Sequence, residues 1–217
     1  MAQSYPIYDV FQKDLIRGSA RLPFDPEKAY AFVEHPTEGW RVYLRACTFL
    51  HLIGEPFYNR KFLVVKRRGA RWSTAAWEPP KGQMEGRDIR MPNKSIYTLL
   101  QLCALREIYE ESHITNVTRL FHTGLVFQSQ EPDYPKNHFF QYHIFQGFIE
   151  SEQVKQSFDM FEWMRDHPKA VDRWSRDRKE KDTVSWFDPK TTRLTPRWCP
   201  TIVAMYLMKS RNMLQHN

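Results

Sequence analysis

The sequence predicts an α+β fold, a three-layer α/β/α sandwich built around a mixed β-sheet. Three observations carry this. Four or five segments are rich in β-branched and aromatic residues and are separated by turn-forming clusters. A Pro/Gly loop at Pro79, Pro80 and Gly82 feeds a central helix, and a second apolar-periodic helix closes the chain.

In chain order, residues 1–40 mix aromatics, charges and Pro6, Pro23, Pro26 and Pro36 without sustained periodicity. They read as an N-terminal extension packing on the domain, irregular apart from one short helix near Pro26 to His35. Residues 41–217 form the domain itself. Segments 40–53 and 61–68 read as two neighbouring strands, divided by the turn-like cluster 54–60. Lys66, Arg67, Arg68 and Arg71 then lead into Trp72 and Trp77, so cations and flat rings arrive together. Such cations suit phosphates and such a ring suits a base; solvated cations and core indoles are the equal alternative.

The break at Pro92 to Ser95 supplies an N-cap for a helix reaching about Ser112. At about 100° per residue, Glu107, Glu110 and Glu111 share one arc. Leu102, Leu105 and Tyr109 lie opposite and are expected to pack. Arg106 precedes Glu110 by one turn and can orient it.

Segments 116–130 and 136–150 read as further strands joined by a Pro-containing loop, which makes Tyr134, His138 and Phe140 candidates for substrate contact. His122, His138 and His143 have no metal-ligand spacing. Residues 151–182 form a charged insert, helical over 158–174, and its run Arg176 to Asp182 reads as a solvated face ahead of a polyanion site. A short strand at 183–189 follows. The closing helix, 196–214, offers Trp198, Ile202, Met205 and Tyr206 as a core face.

The chain has 217 residues, enough for one domain with a sizeable core. Its net charge of +7 favours polyanionic partners such as phosphorylated metabolites or RNA. Cys47, Cys103 and Cys199 fit no zinc or redox spacing and read as buried thiols of a reducing compartment. No stretch reaches the roughly 20 apolar residues of a membrane span. The expected location is intracellular, cytoplasmic by default, with no membrane partner; oligomeric state is not legible.

Three carboxylates on adjoining turns repel one another unless a cation sits among them, and hard oxygens suit Mg²⁺ or Mn²⁺. The run Arg106-Glu107-Ile108-Tyr109-Glu110-Glu111-Ser112-His113-Ile114, preceded by Gly82, resembles the signature of the Nudix hydrolase family. It departs from that signature in three ways: His113 replaces a Gly, Asp88 stands for a Glu, and seventeen residues instead of seven separate Asp88 from Arg106.

The resemblance implies a Nudix-type sandwich and a metal-dependent hydrolase with Gly82, Glu110 and Glu111 on the metal. Glu107 would be a further ligand or the base for water. Glu180, six residues before Trp186, matches a further metal-reaching acid of some members, with Asp182 its competitor. Lys66, Arg68, Arg71, Trp77, Lys81 and Tyr134 are the expected substrate contacts.

The implied reaction is hydrolysis of a phosphoanhydride in a nucleoside diphosphate linked to another group. Trp77-Glu78-Pro79-Pro80-Lys81-Gly82 is similar to a run in asymmetric diadenosine tetraphosphate hydrolases. The Pro-x-Lys-Gly entry is shared with diphosphoinositol and mRNA-decapping members. A dinucleoside polyphosphate or an mRNA 5′ cap is therefore the expected substrate. The alternatives are a diphosphoinositol polyphosphate and a non-catalytic RNA-binding module of the same fold.

Overall fold

A computed structural model describes residues 6–54, 61–91 and 93–214. The turn cluster expected at 54–60 lies almost wholly outside these residues, as does Pro92 of the expected helix break. The class is α+β, with a mixed six-stranded sheet, a second three-stranded sheet and five α-helices among the described residues.

The strands are β1 (Ile16–Leu22), β2 (Asp25–Glu34), β3 (Arg41–Leu52), β4 (Leu63–Arg67), β5 (Trp77–Glu78), β6 (Lys81–Gln83), β7 (Arg119–Ser129), β8 (His138–Ile149) and β9 (Lys181–Trp186). The helices are α1 (Gly86–Ile89), α2 (Ile96–Ser112), α3 (Ser151–Asp166), α4 (Pro168–Val171) and α5 (Cys199–Leu214). One sheet runs β1-β2-β3-β8-β7 with β6 on β3, and a second runs β5-β4-β9. Among the described residues no helix is long and apolar enough to cross a membrane.

Two compact units divide the chain. The first takes its residues from Met1–Ala46, Gly82–Cys103 and Val126–His143, the second from Cys47–Lys81, Ala104–Leu125 and Ile144–Asn217. In the first, β1 and β2 form an antiparallel hairpin in register from Ile16↔Glu34 to Arg21↔Ala29, and β2 pairs with β3. Residues 16–34 are thus strands, where the sequence suggested an irregular lead-in with a short helix. The alternation Ala29, Ala31, Val33 against Tyr30 and Phe32 suits a pleated ribbon, and sheet pairing overrides the proline signals at its edges. Leu22, Tyr30, Phe32, Tyr43 and Phe140 form its core cluster.

In the second unit β4 is the middle strand, antiparallel to β5 and to β9. Among the described residues it is not paired with β3, which corrects the expected pairing of the two apolar segments. The core gathers Leu50, Leu63, Val65, Ile108, Ile149, Phe161 and Val184. The ring of Tyr206 on α5 lies 3.7 Å from that of Phe49 with 7° between their planes. Ile202 and Tyr206 are buried, as the closing helix's periodicity required.

Helix α2 begins as its N-cap predicted, with the Ser95 hydroxyl accepting the Thr98 N–H at 3.1 Å. It ends on His113 at φ +58°, a left-handed residue where Gly costs least. Its buried face is the reverse of the expected one. Leu99, Leu100, Cys103, Ala104, Ile108 and also Glu107 and Glu111 are buried, while Leu102, Leu105 and Tyr109 are exposed. The carboxylates point into the protein because other polar groups there receive them.

Candidate active site

The site in the second unit starts from a strand pair that delivers Glu78. Glu78 lies opposite Val65 across the β4–β5 ladder, and Pro79 and Pro80, which lack an N–H, end that ladder at once. The chain then turns to Lys81, whose backbone N–H donates to Glu111 Oε2 at 2.9 Å. Lys81 Nζ lies 2.9 Å from Glu78 Oε2. Gly82 follows directly, so the loop is tied to α2 through its neighbour.

From the other edge of β4 comes Lys181, the first residue of β9. Its ammonium lies 2.5 Å from Glu78 Oε1, 2.8 Å from Glu111 Oε1 and 3.0 Å from Glu180 Oε1. Glu78, Glu111 and Glu180 each offer an oxygen within 4.8 Å of the others, a spacing that suits one cation. On α2, Arg106 reaches Glu107 and Glu110, each at 2.8 Å.

The electrostatics follow from burial. Burial alone would raise the Glu78 carboxyl, but Lys81 and Lys181 hold it down at about 2. Burial works against a charged Lys181, yet Glu111, Glu78 and Glu180 together raise it well above the usual lysine range. Glu111 is pushed up to about 7 by burial, over the pull of Lys181 and Lys81. Burial likewise pushes Glu107 up to about 8, against Arg106 and with the repulsion of Glu111 and Glu110. A carboxyl in that range can exchange a proton near neutral pH.

Of the residues read from sequence, Arg106, Glu107, Glu110, Glu111, Lys81 and Glu180 come together here. Asp182 does not join them: it binds Lys66 Nζ at 2.8 Å and accepts the Gly69 N–H at 2.9 Å. Lys66 is thereby held in a buried ion pair and also donates to the Ala70 carbonyl at 2.7 Å, which removes it from the expected substrate cations. Arg68 and Arg71 are exposed. Trp77 is 2% exposed and belongs to the core, not to a stacking surface. Trp72, 64% exposed and edge-on to Trp77 at 4.8 Å, is the ring open to a ligand. Tyr134 belongs to the first unit, where its ring meets Phe140 at 4.9 Å. Asp88, also there, closes a capping box on the Glu85 N–H at 3.0 Å.

Sequence reasoning missed Glu78 and Lys181. For Glu78 the available signal was its context, an acid between Trp77 and two prolines that has little prospect of solvation. Lys181 lies within the run Arg176 to Asp182, whose composition reads as a solvated face. The change to strand periodicity directly after it was the available signal.

These side chains fit a hard divalent cation in donor type, all being carboxylates. The position among Glu78, Glu111 and Glu180 is filled by the chain's own ammonium, and Glu107 and Glu110 face the Arg106 guanidinium.

No family model matches the chain, and no curated protein matches it. Among solved structures it is similar to a Nudix hydrolase from Nitrosomonas europaea, 14% identical over 79% of this chain and 88% of that one, TM-score 0.42. It is also similar to the Nudix domain of Shewanella oneidensis NrtR, complexed with ADP ribose: 11% identical, 82% and 92% covered, TM-score 0.44. A C. elegans Ap4A hydrolase binary complex is 14% identical with 80% and 98% covered, TM-score 0.39.

Proposed function

We propose that the chain is a divalent-metal-dependent pyrophosphohydrolase of the Nudix type. It would cleave a phosphoanhydride in a nucleoside diphosphate linked to another group, with a dinucleoside polyphosphate or an mRNA 5′ cap as substrate. The observation that carries this reading is the burial of two α2 carboxylates, Glu111 against Glu78 and the Lys81 backbone and Glu107 against Arg106. Acids on an ordinary solvated helix face have no reason to be gathered this way.

Mg²⁺ or Mn²⁺, held by Glu110 and Glu111 with Glu107 as a further ligand or the base, would supply charge for the diphosphate and acidify water. The remaining work falls to the chain. Arg106 holds Glu107 and Glu110 in one orientation. Glu107, in its ionised form and where it is not itself on the ion, accepts the proton of the attacking water. The exposed Arg68 and Arg71 offer charge to phosphates, and the open indole of Trp72 offers a face to a base.

The test is a panel of diadenosine tetraphosphate, capped RNA and diphosphoinositol phosphates offered with Mg²⁺ or Mn²⁺, to wild type and to Glu111→Gln. The reading expects cleavage of one of the first two and its loss in the variant. Cleavage of the inositol substrate alone would reassign the substrate. No cleavage of any would replace the enzyme with a binding module.

A further inference from the structure

We propose that Lys181 is a resident cation of the site, standing between Glu78, Glu111 and Glu180 where a divalent ion would otherwise sit, so that the chain holds one metal ion fewer than its carboxylates would take. The inference rests on the reading above that these acids serve divalent-metal chemistry.

The geometry is that of a cation in a cage. The three carboxylates lie 2.5, 2.8 and 3.0 Å from one ammonium, and their oxygens lie within 4.8 Å of one another. An ammonium and a metal ion cannot share that centre. Lys181 is 2% exposed and anchored in β9, whose backbone pairs with β4. Its charge is therefore tethered beside the acids and needs no capture from solution. Withdrawn from them, it would be a buried charge without a counter-ion, one of the costliest arrangements in a protein interior.

A lysine is not a full substitute for a metal. It carries one charge and does not acidify water as a divalent ion does. Lys181 is accordingly a positioning residue. It keeps Glu111 and Glu78 in place and neutralises them, and the ion that serves hydrolysis goes to the Glu107 and Glu110 side.

The experiment is Mn²⁺ titration of the full chain, followed by calorimetry and by the spin signal of free Mn²⁺, for wild type and Lys181→Met. Expected are one more Mn²⁺ bound by the variant than by wild type, and a melting temperature of the variant that drops in EDTA and recovers on adding Mn²⁺. Equal binding by the two proteins overturns the role of Lys181 while leaving the metal reading intact. No binding by either overturns the metal reading itself. Should Lys181→Met fail to fold, acylation of wild-type lysines read by mass spectrometry decides the matter. Protection of Lys181 both in EDTA and at saturating Mn²⁺ supports the proposal, and modification on adding Mn²⁺ overturns it.

Discussion

The ammonium of Lys181 lies 2.8 Å from a Glu111 oxygen, at the point where a strand and a helix bring opposite charges together inside the protein. The same ammonium holds Glu78, so the arrangement binds β5, α2 and β9 to one another. Removing one partner of a buried pair leaves a charge stranded. Glu78→Gln is expected to destabilise the protein by about 3–5 kcal/mol in urea unfolding under EDTA. Lys155→Met, which breaks an exposed pair with Asp159, serves as the control and is expected to leave the midpoint unchanged.

Glu107→Gln keeps the shape of the side chain and removes its ability to take a proton. The expected result is a fall in kcat of about 10²- to 10³-fold with little change in KM. Steady-state kinetics on whichever panel substrate is cleaved decides this, and a pure KM effect would make Glu107 a binding group.

Trp72 and Trp77 touch each other yet are predicted to fail differently. Trp77→Ala empties a core position and should cost about 3–5 kcal/mol of stability. Trp72→Ala removes an exposed ring, so its unfolding midpoint should stay near wild type while KM rises several-fold. Parallel urea curves and kinetics separate the two.

His51 and His113 are both buried and held down at about 4, mainly by burial. An unfolded histidine titrates near 6.5, so protons favour the unfolded chain below that value. Each histidine's contribution is complete above about pH 6.5 and lost as pH falls towards 4, at most about 3 kcal/mol each. The raised carboxyls of Glu107 and Glu111 act oppositely, weakening the fold as pH rises. The measurement is therefore the difference between wild type and His113→Asn, a residue that tolerates the left-handed backbone. The variant's unfolding midpoint should depend less steeply on pH between 6.5 and 4 than wild type's.

What the sequence revealed was local. The Ser95 cap, the helix that carries Arg106 to Glu111 and the closing helix depend on neighbours within a few turns, and they stand where expected. What it hid was non-local. Residues 16–34 are strands because β3 offers them an edge, and β4 leaves its apparent neighbour because β5 and β9 pair with it instead. The α2 faces were inverted because helical amphipathicity assumes that charge seeks water. Here Glu107 and Glu111 are received by Arg106, Lys181 and the Lys81 N–H. Lys66 and Trp77 fell out of the substrate list for the same reason, as partners in the core that composition alone could not supply.

If these buried carboxylates gather a divalent ion to split a P–O–P bridge with water, the oxygen of that water ends on phosphorus, which mass spectrometry of the products formed in ¹⁸O-water reads. Expected is one ¹⁸O on a single phosphate product, dependent on Mg²⁺ or Mn²⁺ and absent with Glu111→Gln. Cleavage that survives chelation, or that Glu111→Gln performs as well as wild type, would contradict it.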